Sequence, residues 1–169
     1  RRAYRGAYED FTEAIRLNPN VDDYYHQRAR SNKRLGSIAW VNNDFELFIE
    51  DYELVIDDYS SAIRLNPLEP KYYVERAEAH KGLDQEWKAI DDYSEALRLD
   101  PQDHELYAER AFTYSVSMSD EKYETRYPVY TPPLFFTYKS KWEWAIEDYD
   151  EAIDIAPDVG DYYFDRGLM

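Results

Sequence analysis

Chemistry in a protein needs nucleophiles, metal ligands or proton carriers held close together, and this chain supplies few of them. It has no Cys, which excludes thiol nucleophiles, thiolate metal sites and a disulfide framework. Its three His, at 26, 80 and 104, show no metal-binding spacing with one another or with carboxylates. Asp148, Asp150, Asp154 and Asp158 are calcium ligands in type, but the tight Gly turn of a calcium loop is missing. There is no Gly-rich phosphate loop and no nucleophile motif. Paired acids, Asp57–Asp58 and Asp91–Asp92, recur at one place in a repeating phrase, which fits architecture better than acid–base catalysis. The expectation is a binding protein without enzyme activity, cofactor or metal.

What the residues do offer is charge and aromatic surface. Acidic residues number 36 against 20 basic, a net charge of −16. Such a balance repels phosphate backbones and anionic lipid, so nucleic acid and membrane are not the expected partners. A protein or peptide segment of basic character is. No apolar run approaches the roughly 18 residues of a membrane span, and no basic-then-apolar leader opens the chain. The default expectation is a soluble, cytoplasmic protein. A hydrophobic content of 44%, with 18 Tyr and only 5 Gly, is enough to bury a core.

The elements that carry these residues repeat. EAIRLNP ends at Pro19, SAIRLNP at Pro67, EALRLDP at Pro101 and EAIDIAP at Pro157. Five residues after each Pro begins a second phrase: YYHQRA at Tyr24, YYVERA at Tyr72, LYAERA at Leu106 and YYFDRG at Tyr162. Pro67 to Pro101 is 34 residues, and the flanking intervals are 48 and 56, so two copies carry insertions of 14 and 22. Phe11, Ala14, Ile15 and Tyr59, Ala62, Ile63 fall at i, i+3, i+4, the apolar stripe of a helix. Pro ends that helix, because its ring disfavours the preceding helical turn. One such hairpin cannot bury both of its faces, so neighbours must stack.

A 34-residue unit of this kind resembles the tetratricopeptide repeat. The bulky and small residues of the family's first helix match Tyr25 and Ala29, Tyr73 and Ala77, Tyr107 and Ala111, Tyr163 and Gly167. The small, aromatic, small, Pro signature of its second helix matches Ala7, Phe11, Ala14, Pro19; Val55, Tyr59, Ala62, Pro67; Ala89, Tyr93, Ala96, Pro101; and Ala145, Tyr149, Ala152, Pro157. Val55 replaces a small residue, while Asn32 and His80 stand where an aromatic is usual. The resemblance implies an all-α fold, a right-handed α-solenoid of antiparallel helix hairpins. In that frame 1–19 is the second helix of a truncated repeat and 22–67 is a repeat with an insertion near 37–50. A regular repeat at 70–101 follows, then one at 104–157 with an insertion near 117–138, and 160–169 is the first helix of a truncated repeat.

The resemblance also implies a groove, lined by first helices, that binds a segment of another protein. Its positions here are His26, Arg30, Lys33 and Arg34, then Lys71, Val74, Glu75, Glu78 and Lys81, then Glu105, Ala108, Glu109 and Phe112. Glu75 and Glu109 stand where chaperone-binding members grip a terminal carboxylate, so such a tail is not the expected ligand. The competing reading is a structural solenoid that self-associates, or a regulatory module of a larger protein. Two columns look structural: Arg28, Arg76, Arg110, Arg166 and Asp10, Asp58, Asp92, Asp148. Each Arg is expected to pair with the Asp that precedes it, across the contact between repeats.

Both insertions fall between the paired helices of a repeat. The first follows Gly36. Asn43 with Glu46 reads as a capping box, so the expectation is a second helix extended at its start, with Ser37 to Asn42 a connector that carries Trp40, a candidate for packing or for binding. The second has Pro128, Pro132 and Pro133 at its centre and is rich in Tyr, Phe, Val and Thr, which favours extended structure. Its candidates for binding are Tyr127, Tyr130, Leu134, Phe135 and Phe136.

Overall fold

The computed structural model describes residues 2–117 and 139–169, which form eight helices and no strand. They are α1 (Arg2–Leu17), α2 (Asp22–Val41), α3 (Phe45–Leu65), α4 (Pro70–Gly82), α5 (Glu86–Leu99), α6 (His104–Val116), α7 (Lys141–Ile155) and α8 (Gly160–Leu168). The chain divides into two compact units, Arg1–Leu99 and Asp100–Met169. In the first, α2 pairs with α3 and α4 with α5, while α1 packs on α2 and α3 on α4. In the second, α6 pairs with α7 and α7 packs on α8.

Local chemistry sets the ends of these helices. The second helices stop at Leu17, Leu65, Leu99 and Ile155, two residues before each repeat Pro. Asn66 and Ala156, each next to a Pro, take non-helical φ values of −139° and −130°. Asp103 accepts from the backbone amides of Glu105 and Leu106 at the start of α6, and Ser140 with Glu143 forms a full capping box at α7.

Packing follows the repeat columns. Ala29, Ala77 and Ala111 of the first helices are fully buried, as are Ala62, Ala96 and Ala152 of the second. Tyr59, Tyr93 and Tyr149 are buried beside them. Ala at a crossing lets two backbones approach, and the Tyr ring fills the space this opens. Tyr25 and Tyr73, near the starts of α2 and α4, donate to the carbonyls of Pro19 and Pro67 (3.1 and 3.2 Å) and so tie each first helix to the end of the helix before it.

The first insertion is shared between two helices, which corrects the sequence reading. Ser37 to Val41 are helical, so they are the last turns of α2 rather than a connector. The helix N-cap is Asp44, whose side chain accepts from Leu47 N (3.2 Å), not Asn43. At 20 and 21 residues, α2 and α3 are each seven longer than α4 and α5 (13 and 14). Seven residues are about two turns, and about 20° out of phase with them, so the inward stripe continues through the added length. The turn itself is unchanged and merely moved outward. Asn43 (φ 57°) and Asp84 (φ 52°) are its left-handed residues, and the next amide reaches back to Ala39 O (2.9 Å) in one turn and His80 O (3.0 Å) in the other.

Gly36, read from sequence as the place where the helix gives way, lies inside α2 because Tyr52 needs the room. A Cβ at Gly36 would sit 2.8 Å from the Tyr52 ring, and one at Gly82 of α4 would sit 2.5 Å from it. Phe48 packs at a tilt against the same ring, with centroids 4.4 Å apart. Gly82→Ala is therefore expected to destabilise the protein by about 1–2 kcal/mol in a denaturant titration, overpacking outweighing the gain in helix propensity. In a Tyr52→Leu background the same change should be neutral or stabilising. A Gly82→Ala protein as stable as the parent would contradict the wedge.

Candidate protein-binding face

The first helices α2 and α4 present a joint face whose floor is a hydrogen-bonded cluster. Glu75 of α4 accepts from the Tyr59 hydroxyl (2.7 Å), and its carboxylate lies 3.0 Å from His26 Nε2. The other ring nitrogen of His26 is 3.4 Å from Asp23. Burial pushes the Glu75 carboxyl up, but the bonds from His26 and Tyr59 outweigh it and hold the group below the ordinary Glu value. Burial, followed by the neighbouring Glu75, pushes the Tyr59 phenol far upward, so it remains a donor. At the edge of the face, Asp22 accepts from Asn66 Nδ2 (3.1 Å) and the Tyr72 hydroxyl (2.9 Å).

Above this floor lies an open cleft of about 280 Å³, lined by Arg30, Lys33, Arg34, Ser37, Tyr59, Glu75 and Glu78. Its volume suits one or two side chains rather than a buried small ligand. Lys33 pairs with Glu78. Arg30 and Arg34, one turn apart and exposed, carry the charge left over.

The thirteen groove positions expected from sequence thus fall into groups. Arg30, Lys33, Arg34 and Glu78 line the cleft, Lys71 is exposed, and Val74 is half-buried. His26 is only 3% exposed and packs on Tyr72 and Tyr59, with ring centroids 5.2 and 6.1 Å away. It bonds to Glu75, which is half-buried and lines the floor of the cleft. Lys81 lies over the Tyr93 ring at 5.8 Å. In the second unit, Glu105, Glu109 and Phe112 of α6 are exposed and Ala108 is half-buried. Trp40, more than half exposed, stands near the end of α2. Tyr127, Tyr130, Leu134, Phe135 and Phe136, and with them nearly all of the second insertion, lie outside the described residues.

The Arg–Asp columns do pair, but in another register. Arg28 binds Asp58 through Nε and Nη2 (2.9 and 2.6 Å), Arg76 binds Asp92 (2.9 and 2.6 Å) and Arg110 binds Asp148 (2.7 and 2.6 Å). Each fork closes its own hairpin, first helix to second, instead of reaching the preceding Asp. Asp10, the expected partner of Arg28, is exposed. Arg166, expected on Asp148, pairs with Asp150. The link between repeats comes from a third nitrogen: Arg28 Nη1 donates to Thr12 (3.3 Å) and Arg76 Nη1 to Ser60 (2.9 Å). Thr12, Ser60 and Asp150 occupy one repeat position, two residues after the Asp column, and it went unread in the sequence. Each Arg also lies over the Tyr three residues before it, at 5.6–5.9 Å.

The floor cluster went unread as well, although it left a signal. Tyr59, Tyr93 and Tyr149 each precede by 16 residues an acid, Glu75, Glu109 and Asp165.

Residues 70–103 match the family model of the tetratricopeptide repeat. A crystal structure of MamA superposes with a TM-score of 0.68 at 18% identity, covering 98% of this chain and 75% of that one. The first repeat domain of Spaghetti (RPAP3), bound to an HSP90 peptide, has a TM-score of 0.54 at 18% identity and covers 84% and 90%. The Arabidopsis OM64 repeat domain gives 0.52 at 17%, covering 85% and 95%. No curated protein sequence matches. Residues 70–103 are thus a tetratricopeptide repeat, and the described residues share the helical-repeat fold of these structures. No described helix is long and apolar enough to cross a membrane.

His80, at the position where an aromatic is usual, gives the fold a pH dependence. It is 6% exposed, with Nδ1 3.0 Å from Gln85 Oε1 and Nε2 3.9 Å from Asp92. Burial lowers its pKa, while Gln85 and Asp92 pull it back up. The unfolded chain therefore takes up this proton first, near pH 6.5, and stability is lost as pH falls from there toward the folded value. Denaturant midpoints measured between about pH 7 and pH 5 should fall less steeply for His80→Phe than for the parent. Equal slopes would remove His80 from the account.

Proposed function

We infer that this chain is a non-catalytic interaction module whose α2–α4 face binds a segment of another protein. The observation that carries this is the state of the charges at the cleft. Glu75 and Glu78 are committed to His26, Tyr59 and Lys33. Arg30 and Arg34 remain open on one helical face. The cleft thus favours a segment that brings an acidic side chain, with Lys71 extending the cationic surface along α4. Guanidinium forks suit carboxylates in geometry as well as in sign. Exposed charges of this kind set orientation and on-rate more than affinity. That a related fold holds a peptide in the RPAP3 structure supports the reading.

Affinity capture from a lysate tests it, comparing the parent with Arg30→Glu/Arg34→Glu at low and moderate salt. The expected result is a partner, bound through an acidic segment, whose affinity drops about tenfold or more in the variant. Capture that survives the double reversal contradicts the assignment of this face. A further arm lacking residues 118–138 reports separately on the aromatic insertion.

A further inference from the structure

The α2–α3 hairpin runs two turns beyond the length its neighbour needs, and the added turns end in apolar surface. Trp40, Val41, Phe45 and Ile49 are 55%, 78%, 50% and 47% exposed. Trp40 meets Phe45 edge-on, with ring centroids 5.2 Å apart, and Phe48 at 5.1 Å. The indole is thereby held in place with its outer side in water. Single exposed apolar residues are ordinary, but a cluster on a projecting tip marks an interaction surface.

Beside the patch, Glu46, Glu50, Glu53 and Asp57 are all exposed. Their spacing of 4, 3 and 4 residues places one carboxylate on each turn of a single stripe of α3. None of the four has an ion-pair or hydrogen-bond partner among the described residues. Like charges at this spacing repel, so the stripe does nothing for α3 on its own. Phe45 and Ile49 of the tip lie on the same helix as the stripe, each directly before one of its acids, Glu46 and Glu50.

We propose that the tip of the α2–α3 hairpin, with the acidic stripe of α3, docks a basic amphipathic helix of another protein. Its apolar side covers Trp40, Phe45 and Ile49, and its Lys or Arg side lies along the carboxylates. Charge complementarity selects the occupant: a second copy of this chain, at −16, meets the stripe with the wrong sign. Pitch selects its form. The carboxylates recur about every 5.4 Å, as side chains do along one face of a helix, whereas one face of a strand repeats at about 6.6–6.8 Å and drifts out of step. This surface is separate from the α2–α4 cleft and stands or falls independently of it.

The test uses the full chain and a labelled, amidated Leu/Lys peptide of helical period, about 18 residues long, followed by fluorescence anisotropy. Its scrambled counterpart has the same charge but no apolar face. The periodic peptide is expected to bind, and the scrambled one about tenfold more weakly. Trp40→Ser/Ile49→Ser should weaken binding about tenfold. So should a set with Glu46, Glu50 and Glu53 changed to Gln and Asp57 to Asn. Removing four exposed acids elsewhere (Glu9, Asp10, Asp154 and Asp158 to their amides) should change little. Equal binding of the scrambled peptide, or an equal loss in that control, overturns the proposal in favour of unspecific charge attraction. Self-association abolished by the tip variant overturns it in favour of a second copy. Melting curves accompany each variant; if the tip variant melts early, the acid-stripe set decides, because its side chains are exposed and have no partner among the described residues.

Discussion

The buried fork between an Arg of the first helix and an Asp of the second is the interaction on which the rest of each hairpin depends. Asp58, Asp92 and Asp148 are about 5% exposed, and each sits in the bidentate reach of one guanidinium. Burial pushes these carboxyls up, against the pull of Arg28, Arg76 and Arg110. Desolvation therefore offsets much of the attraction, and the pair adds little net stability. What it fixes is register. A carboxylate left in that site without its guanidinium costs about 3–5 kcal/mol, so any slip of one helix along the other is penalised heavily. Ala and Tyr columns supply the burial, and the Arg–Asp fork decides which residues meet.

From that fixed hairpin the other features follow. The third guanidinium nitrogen reaches Thr12 or Ser60 on the helix before, so one side chain ties both contacts of its helix. The added turns of α2 and α3 keep the same phase, the same left-handed turn residue and the same back-bonded amide as the regular hairpin. The hairpin could therefore lengthen without disturbing the fork. Its added turns bring new surface, with Tyr52 wedged against Gly36 and Gly82 below and Trp40 in water above.

The period, the helix faces and both charged columns were legible in the sequence, because each is a matter of residue type at fixed spacing. Pair register was not, and the reason is instructive. Every Arg follows an Asp of the column by 18 residues, but precedes the next by 30, 16 and 38. The constant spacing looked like contact, yet it is constant only because no insertion falls in that turn. The true partners lie across the turn that varies. The cleft shows the same limit. Repeat position alone does not reveal that His26 and Glu75 bond to each other and that Glu75 also accepts from Tyr59, while Arg30 and Arg34 stay exposed. Composition counts charges; only geometry shows which are already spent.

A pair of double-mutant cycles on stability tests the fork most directly, one on Arg76→Met with Asp92→Leu and one on Arg76→Met with Asp58→Leu. A coupling of about 2–3 kcal/mol is expected for Arg76 with Asp92, and no more than about 0.5 kcal/mol for Arg76 with Asp58. Strong coupling to Asp58 with none to Asp92 would put the fork between repeats and contradict the account of how each hairpin is held.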